Sequence, residues 1–202
     1  MSVREATLRA DAERNRRRIL DAARDVFATR GVGVGFDAIA REAGVGVGTL
    51  YRRFPAKEDL LRAIVEDRIE RLSARFDEIR ALDDPWEAFA TAAEAFAEAI
   101  ARDRAFFEVV QQLEPGAAMA ARERVIEALR PILRRAQKAG AVRGDLVIED
   151  VPSLCAVAAR LPAWRLEHQP ELWRRYLAVV LDGVRAEAAT KLPHPAPRRP
   201  RG

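Results

Sequence analysis

The stretch from Phe36 to Phe54, FDAIAREAGVGVGTLYRRF, permits few folds. Phe36, Ile39, Ala40 and Ala43 recur at i, i+3, i+4 and i+7, which is one apolar face of a helix. Gly44 then supplies the residue type that ends a helix in the left-handed conformation. Val47, Leu50 and Phe54 give a second helix an inward face and leave Thr49, Tyr51, Arg52 and Arg53 to point out. Two helices joined by a turn of about three to four residues form a helix-turn-helix, whose second helix fits the major groove of DNA while the first braces it across the backbone. The residues alone also permit a plain helical hairpin, with Tyr51 as a packing residue and the arginines as a solvated face.

AGVGVGTLYRRF followed by PAKEDLL resembles the signature of the TetR family of bacterial one-component repressors, over about Ile19 to Leu61. That resemblance implies an all-α chain: an N-terminal three-helix helix-turn-helix DNA-binding domain joined to a larger helical bundle for ligand binding and dimerisation. It implies phosphate contacts from Thr49, Tyr51 and Lys57. A phosphate also suits the position of Lys57 at the start of a helix, where a cation alone opposes the helix dipole. Two positions depart from the family pattern. Gly35 and Gly46 stand where a serine or threonine usually caps the two helices, a change that costs a few tenths of a kcal/mol (~0.3). Val47 replaces a frequently polar residue, and its side chain suits a thymine methyl.

Charge divides along the chain. Residues 1–57 carry 12 Lys or Arg against 7 Asp or Glu, and residues 58–189 carry 19 against 24. A basic head on an acidic body suits a head that meets phosphate and a body that does not. The expected division is therefore a DNA-binding domain with a basic N-terminal arm over 1–57, a ligand-binding and dimerisation domain over 58–189, and a disordered basic, proline-rich tail over 190–202. Arg16 and Arg17, with Arg14 and Arg18, are placed to follow a phosphate backbone or enter a minor groove as an arm. No run of about 18 apolar residues could span a membrane, and the charged start MSVREATLRADAERNRRR lacks a secretory core, so a cytoplasmic location is expected.

Helical spacing continues beyond the head. Helices are expected over about Ala12 to Arg30, from just after Pro55 to about Ile79, and from Asp84-Pro85, a cap followed by proline at the first helical position. A shorter helix carries Phe106 and Phe107, and Pro115-Gly116 breaks the chain. Another helix covers about Ala118 to Ala139, where Pro131 should kink or split it. The AGAVRGDL connector precedes a helix opened by Glu149, Asp150 and Pro152, and Pro170 opens the last one.

In the body, Trp86, Phe89, Phe96 and Met119, with Phe106, Phe107 and Trp164, are candidates to line an apolar ligand cavity, although aromatic stripes at helical spacing are also plain core. The last two helices carry more apolar surface than one bundle edge needs. The resemblance implies that they form a four-helix dimer interface, with Leu154, Leu161, Trp173 and Tyr176 and then Leu177, Val180 and Val184 as its residues. Two heads on a two-fold axis read an inverted repeat. The implied partners are thus double-stranded DNA, an unidentified small-molecule effector and a second copy of the chain. Arg160, Arg165 and His168 read as surface residues or as anchors for an acidic ligand. Cys155 reads as a small core residue. His168 and His194 are the only histidines, and no nucleophile set, metal-ligand spacing or phosphate-binding loop is present, so neither an enzyme nor a cofactor is expected. A ligand-independent DNA-binding adaptor and a transcriptional activator are the alternatives to a repressor.

Overall fold

The computed structural model describes residues 3–102, 109–110, 112–161, 168–187 and 189–196, with side chains from Arg14 onward. These residues form α1 (Val3–Arg30), α2 (Phe36–Ala43), α3 (Val47–Arg53), α4 (Lys57–Arg80), α5 (Pro85–Arg102), α6 (Pro115–Lys138), α7 (Asp150–Ala159) and α8 (Leu172–Val184). The chain is all-α, as expected. Among the described residues the extended pairing is a single bridge between Val142 and Arg185. Two compact units divide inside α4, after Arg68, and inside α6, after Met119. The first therefore keeps the opening turns of α4, which a boundary at residue 57 assigns to the body.

In the first unit the expected stripe of α1 is buried: Ile19, Leu20, Ala23, Val26 and Phe27 are each at most 3% exposed. Each of the larger ones gains about 1.5–3 kcal/mol by leaving water. They pack against α2, whose Phe36, Ile39, Ala40 and Ala43 form its whole buried face. Between α1 and α4, the Arg24 guanidinium lies 2.7 Å from a carboxylate oxygen of Asp67, with both side chains mostly buried. α1 starts at Val3, well ahead of the expected Ala12. The extra turns contain no glycine or proline and are rich in alanine, arginine and glutamate, which favour a helix without needing an apolar stripe.

In the second unit α5, α7 and α8 pack together. Asp84 caps α5 through its side chain, accepting from the backbone N–H groups of Trp86 at 2.7 Å and Glu87 at 3.0 Å, as the Asp-Pro pair predicts. Ala88, Ala92, Ala93, Ala95 and Ala97 of α5 are buried, and their small side chains let the neighbouring backbones approach. Cys155 of α7 sits in this seam, 2% exposed, its thiol donating to the Ala93 carbonyl at 3.6 Å. Burial pushes that thiol up to about 12, so it is a core residue rather than a nucleophile. α6 begins at Pro115, using it as a first helical residue, and runs through Pro131 as one helix. The expectation that Pro131 could split it is corrected: its ring faces solvent.

The connector after α6 is built rather than loose. Gly140 ends the helix at φ +72°, and the Arg143 N–H donates to the Val184 carbonyl at 3.0 Å. The Arg143 side chain, 7% exposed, grips Asp145 with two N–H groups at 2.6 and 2.9 Å and reaches the carbonyls of Gly183 and Thr190. The Arg143 guanidinium holds the Asp145 carboxyl below its ordinary range. A depressed carboxylate contributes stability above its unfolded value, about pH 4, and loses that contribution as pH falls through the folded value. Asp145→Asn should therefore melt earlier than wild type at pH 7. The gap between the two melting temperatures should close on acidification below about pH 4.

Candidate nucleic-acid interface

α3 has 7 residues, too few to persist as an isolated helix, which needs about 12–15. Docking maintains it. Leu50 is 0% exposed and Phe54, just past its end, 4%. The turn before it is set by Gly44, at φ 63° and ψ 36°, where a side chain would be strained. The Gly44 and Val45 N–H groups close α2 on the Arg41 and Ala40 carbonyls at 3.2 and 3.0 Å. Arg18 of α1 donates from Nη2 to the Ala43 carbonyl at 2.9 Å, completing this cap. Gly35 and Gly46 are the caps of α2 and α3, and neither helix has a side-chain cap hydrogen bond, as their glycines dictate.

The residues opposite Leu50 are outward. Tyr51 is 54% exposed, and its ring tilts against Phe36 of α2 at 4.9 Å between centroids, so its hydroxyl end is carried on a fixed platform. Arg52 and Arg53 are exposed, and Val47 and Thr49 are half-buried. The Arg52 guanidinium donates to the Thr49 hydroxyl at 3.2 Å. Lys57, the first residue of α4, donates to the Val34 carbonyl at 2.9 Å, which ties the start of α4 to the loop between α1 and α2. Asp59 caps the start of α4 by accepting from the Ala56 N–H at 3.0 Å. Arg16 and Arg17 lie on α1, so the expected arm is a helix at these residues. Arg18, a candidate for the same backbone, also serves the turn through its guanidinium. Its role was hidden because its partner lies 25 residues away.

The body candidates fare differently. Phe106, Phe107, Trp164 and Arg165 lie outside the described residues. Trp86 has the Arg185 guanidinium 3.8 Å above its ring, a cation–π contact that covers one face, and Phe89 lies 6.2 Å away. Phe89 is 4% exposed and lines an apolar recess with Ala93, Leu146, Cys155, Leu177 and Val184. That recess holds about 10 Å³, room for roughly one water. Phe96 is half-buried. Met119 is 47% exposed, so as an interior lining residue it is corrected.

Among the dimer candidates, Leu154, Leu161, Tyr176 and Val180 are half-buried. Trp173, Leu177 and Val184 are 1%, 3% and 6% exposed, occupied by the core of a single chain, and are corrected as interface residues. The exposed large apolar side chains of this pair of helices are Val157 at 76% on α7, which helical spacing already puts on the apolar face, and Val179 at 67% on α8, which sequence reasoning missed. Arg160 and His168 are exposed, in keeping with their reading as surface residues.

Residues 19–64 match the family described as bacterial regulatory proteins, tetR family, and residues 84–186 match the C-terminal domain of SbtR-like transcriptional regulators. A solved TetR transcription regulatory protein from Mycobacterium vanbaalenii is 34% identical, with 88% of this chain and 99% of that one aligned at a TM-score of 0.66. A TetR transcriptional regulator from Streptomyces coelicolor is 29% identical over 84% and 98% of the two chains, with a TM-score of 0.63. The HTH-type transcriptional regulator SrpR of Pseudomonas putida is 39% identical over 84 residues. This match spans 41% of the present chain and 39% of SrpR, well short of its full length.

Proposed function

Since this chain belongs to the TetR family of bacterial regulatory proteins, we propose that it is a homodimeric repressor of an inverted-repeat operator, released from DNA by a small-molecule ligand. It is a DNA-binding helix-turn-helix transcriptional regulator and not an enzyme. The observation that supports the DNA-binding part of this reading is the division of α3, with Leu50 fully buried and Tyr51, Arg52 and Arg53 exposed. In this reading 1–57 is the DNA-binding head, 58–189 the ligand-binding and dimerisation body, and 190–202 a basic tail. The protein acts in the cytoplasm. No helix of the described residues is long and apolar enough to cross a membrane.

Thr49, Tyr51 and Lys57 hold phosphates, Arg16 and Arg17 follow the backbone from α1, and Arg52 and Arg53 extend the basic face of α3. Two phosphate contacts from different helices fix the angle at which α3 enters the groove. The second copy docks on α7 and α8, where exposed Val157 and Val179 adjoin half-buried Leu154, Leu161, Tyr176 and Val180. Exposed apolar groups beside a half-buried apolar face support such a surface. α4, continuous from Lys57 to Arg80, is the lever between head and body. A ligand preferring the body conformation whose heads miss the operator spacing releases DNA by shifting the population.

The alternative reading of the same head is a DNA-binding regulator that takes no ligand. A thermal-shift screen separates the two, because saturable stabilisation coupled to loss of DNA binding requires the first. The function is tested by selecting bound duplexes from fragmented genomic DNA at near-physiological salt. An enriched inverted repeat supports the dimeric regulator, and salt-sensitive binding without enrichment opposes it.

If Lys57 neutralises a phosphate, Lys57→Ala should weaken all bound duplexes by a similar factor. The slope of log K against log salt should become shallower by roughly 0.9 for each phosphate that is no longer neutralised. An effect confined to one base position would exclude that role.

A further inference from the structure

α3 carries a glycine without an internal reason for being one. Gly48 is absent from the residues with positive φ. A methyl group built on its Cα would meet nothing within 4 Å. A glycine in a helix disfavours folding about fivefold relative to alanine. Gly48 is two positions before fully buried Leu50, about 200° around the helix. Gly48 therefore faces away from the core, on the side where Arg52 follows one turn later.

Its neighbours narrow what can approach this side. Gly46, the cap, has no side chain and no side-chain hydrogen bond. Val47 is half-buried, which leaves part of an apolar isopropyl group at the edge of the outward face. The hydroxyl of Thr49 already accepts a hydrogen bond from Arg52. With Thr49 assigned to phosphate, the first turn of α3 thus offers bases a valine side chain between two residues without Cβ atoms. In the major groove the apolar group presented by an unmodified base is the C5-methyl of thymine.

We infer that α3 reads thymine C5-methyl groups through Val47, brought into contact by the bare backbone at Gly48. This rests on the DNA-binding regulator reading above and adds its specificity. Taking away the thymine methyl forfeits the burial of roughly one methyl group against Val47, about fourfold in affinity at each such thymine. A Cβ at Gly48 holds the helix off the base edges, and overpacking of this kind costs about tenfold or more.

The experiment uses the full chain and the duplex enriched in the genomic selection, with each thymine replaced in turn by deoxyuridine. Wild type should lose about fourfold at one thymine of each half-site and little elsewhere. Val47→Ala should bind the unmodified duplex more weakly and show no further loss at that same position. Gly48→Ala should raise the melting temperature of the head while weakening the enriched duplex about tenfold, so that lost binding cannot be attributed to lost folding. The inference is overturned if wild type is indifferent to every deoxyuridine. It is equally overturned if Val47→Ala remains as sensitive as wild type, or if Gly48→Ala binds with wild-type affinity. A wild type that enriches no duplex overturns the regulator reading itself, a different result from specific binding that ignores the methyl groups.

Discussion

Leu50→Ala is expected to lower the stability of the head by about 3 kcal/mol and to abolish sequence-specific DNA binding. Leu50 is the buried residue of α3, with no exposed surface, and α3 is too short to hold its shape without docking. The loss combines the transfer free energy of the leucine side chain with the cavity left between α2 and α3. Urea unfolding followed by circular dichroism reads the first effect, and electrophoretic mobility of the selected duplex reads the second. Exposed Arg53→Ala is the control: it should leave the unfolding midpoint within about 0.5 kcal/mol of wild type. A Leu50→Ala protein as stable as wild type would mean that α3 is held by something other than its one fully buried side chain.

Trp173→Ala is expected to cost about 3–5 kcal/mol in the body. Trp173 is 1% exposed within a single chain, with the Arg174 guanidinium 4.6 Å from its ring centre. A core residue and an interface residue respond differently to dilution. Loss of core packing lowers stability by the same amount at every protein concentration, whereas loss of an interface shows as a concentration-dependent midpoint. Val179→Glu supplies the contrast. Val179 is 67% exposed, so the charge is tolerated in the lone chain but is costly when buried against a second copy. Sedimentation should show Val179→Glu as a folded monomer and Trp173→Ala as a destabilised body. If Trp173→Ala instead kept its stability and lost only self-association, its assignment to the core would be wrong.

What could be read from the sequence depended on the range of the interactions involved. Gly44 ends α2 as expected, and Asp84 and Pro85 start α5 as expected, because both features are made by residues within a few positions of each other. The α1 stripe is equally plain, since Ile19, Leu20, Ala23, Val26 and Phe27 can face only one side. α8 is harder. Leu172, Trp173, Tyr176, Leu177, Val180, Leu181 and Val184 cover a wide arc of it, and periodicity does not say which edge meets α5 and α7 and which meets solvent. For that reason the spacing cannot separate Trp173, Leu177 and Val184, which are buried within the single chain, from the residues that the resemblance assigns to an interface. The backbone contacts of Arg18, Lys57 and Arg143 escape for another reason. Each donates to backbone carbonyls distant in sequence, and an acceptor common to every residue leaves no compositional trace.

The Arg143 latch has a consequence for the order in which the newly made protein matures. Its acceptors include the carbonyls of Gly183 and Thr190, so the ribosome must deliver those residues before the connector can close. The head draws its contacts from residues up to Met119. At about 5–20 residues per second, roughly 4–14 s of synthesis separate Met119 from Thr190. During that interval a nascent chain can carry a finished DNA-reading head on an unfinished body. In the proposed dimer, pairing between copies must wait for α8, and so belongs to the end of translation or to the released chain.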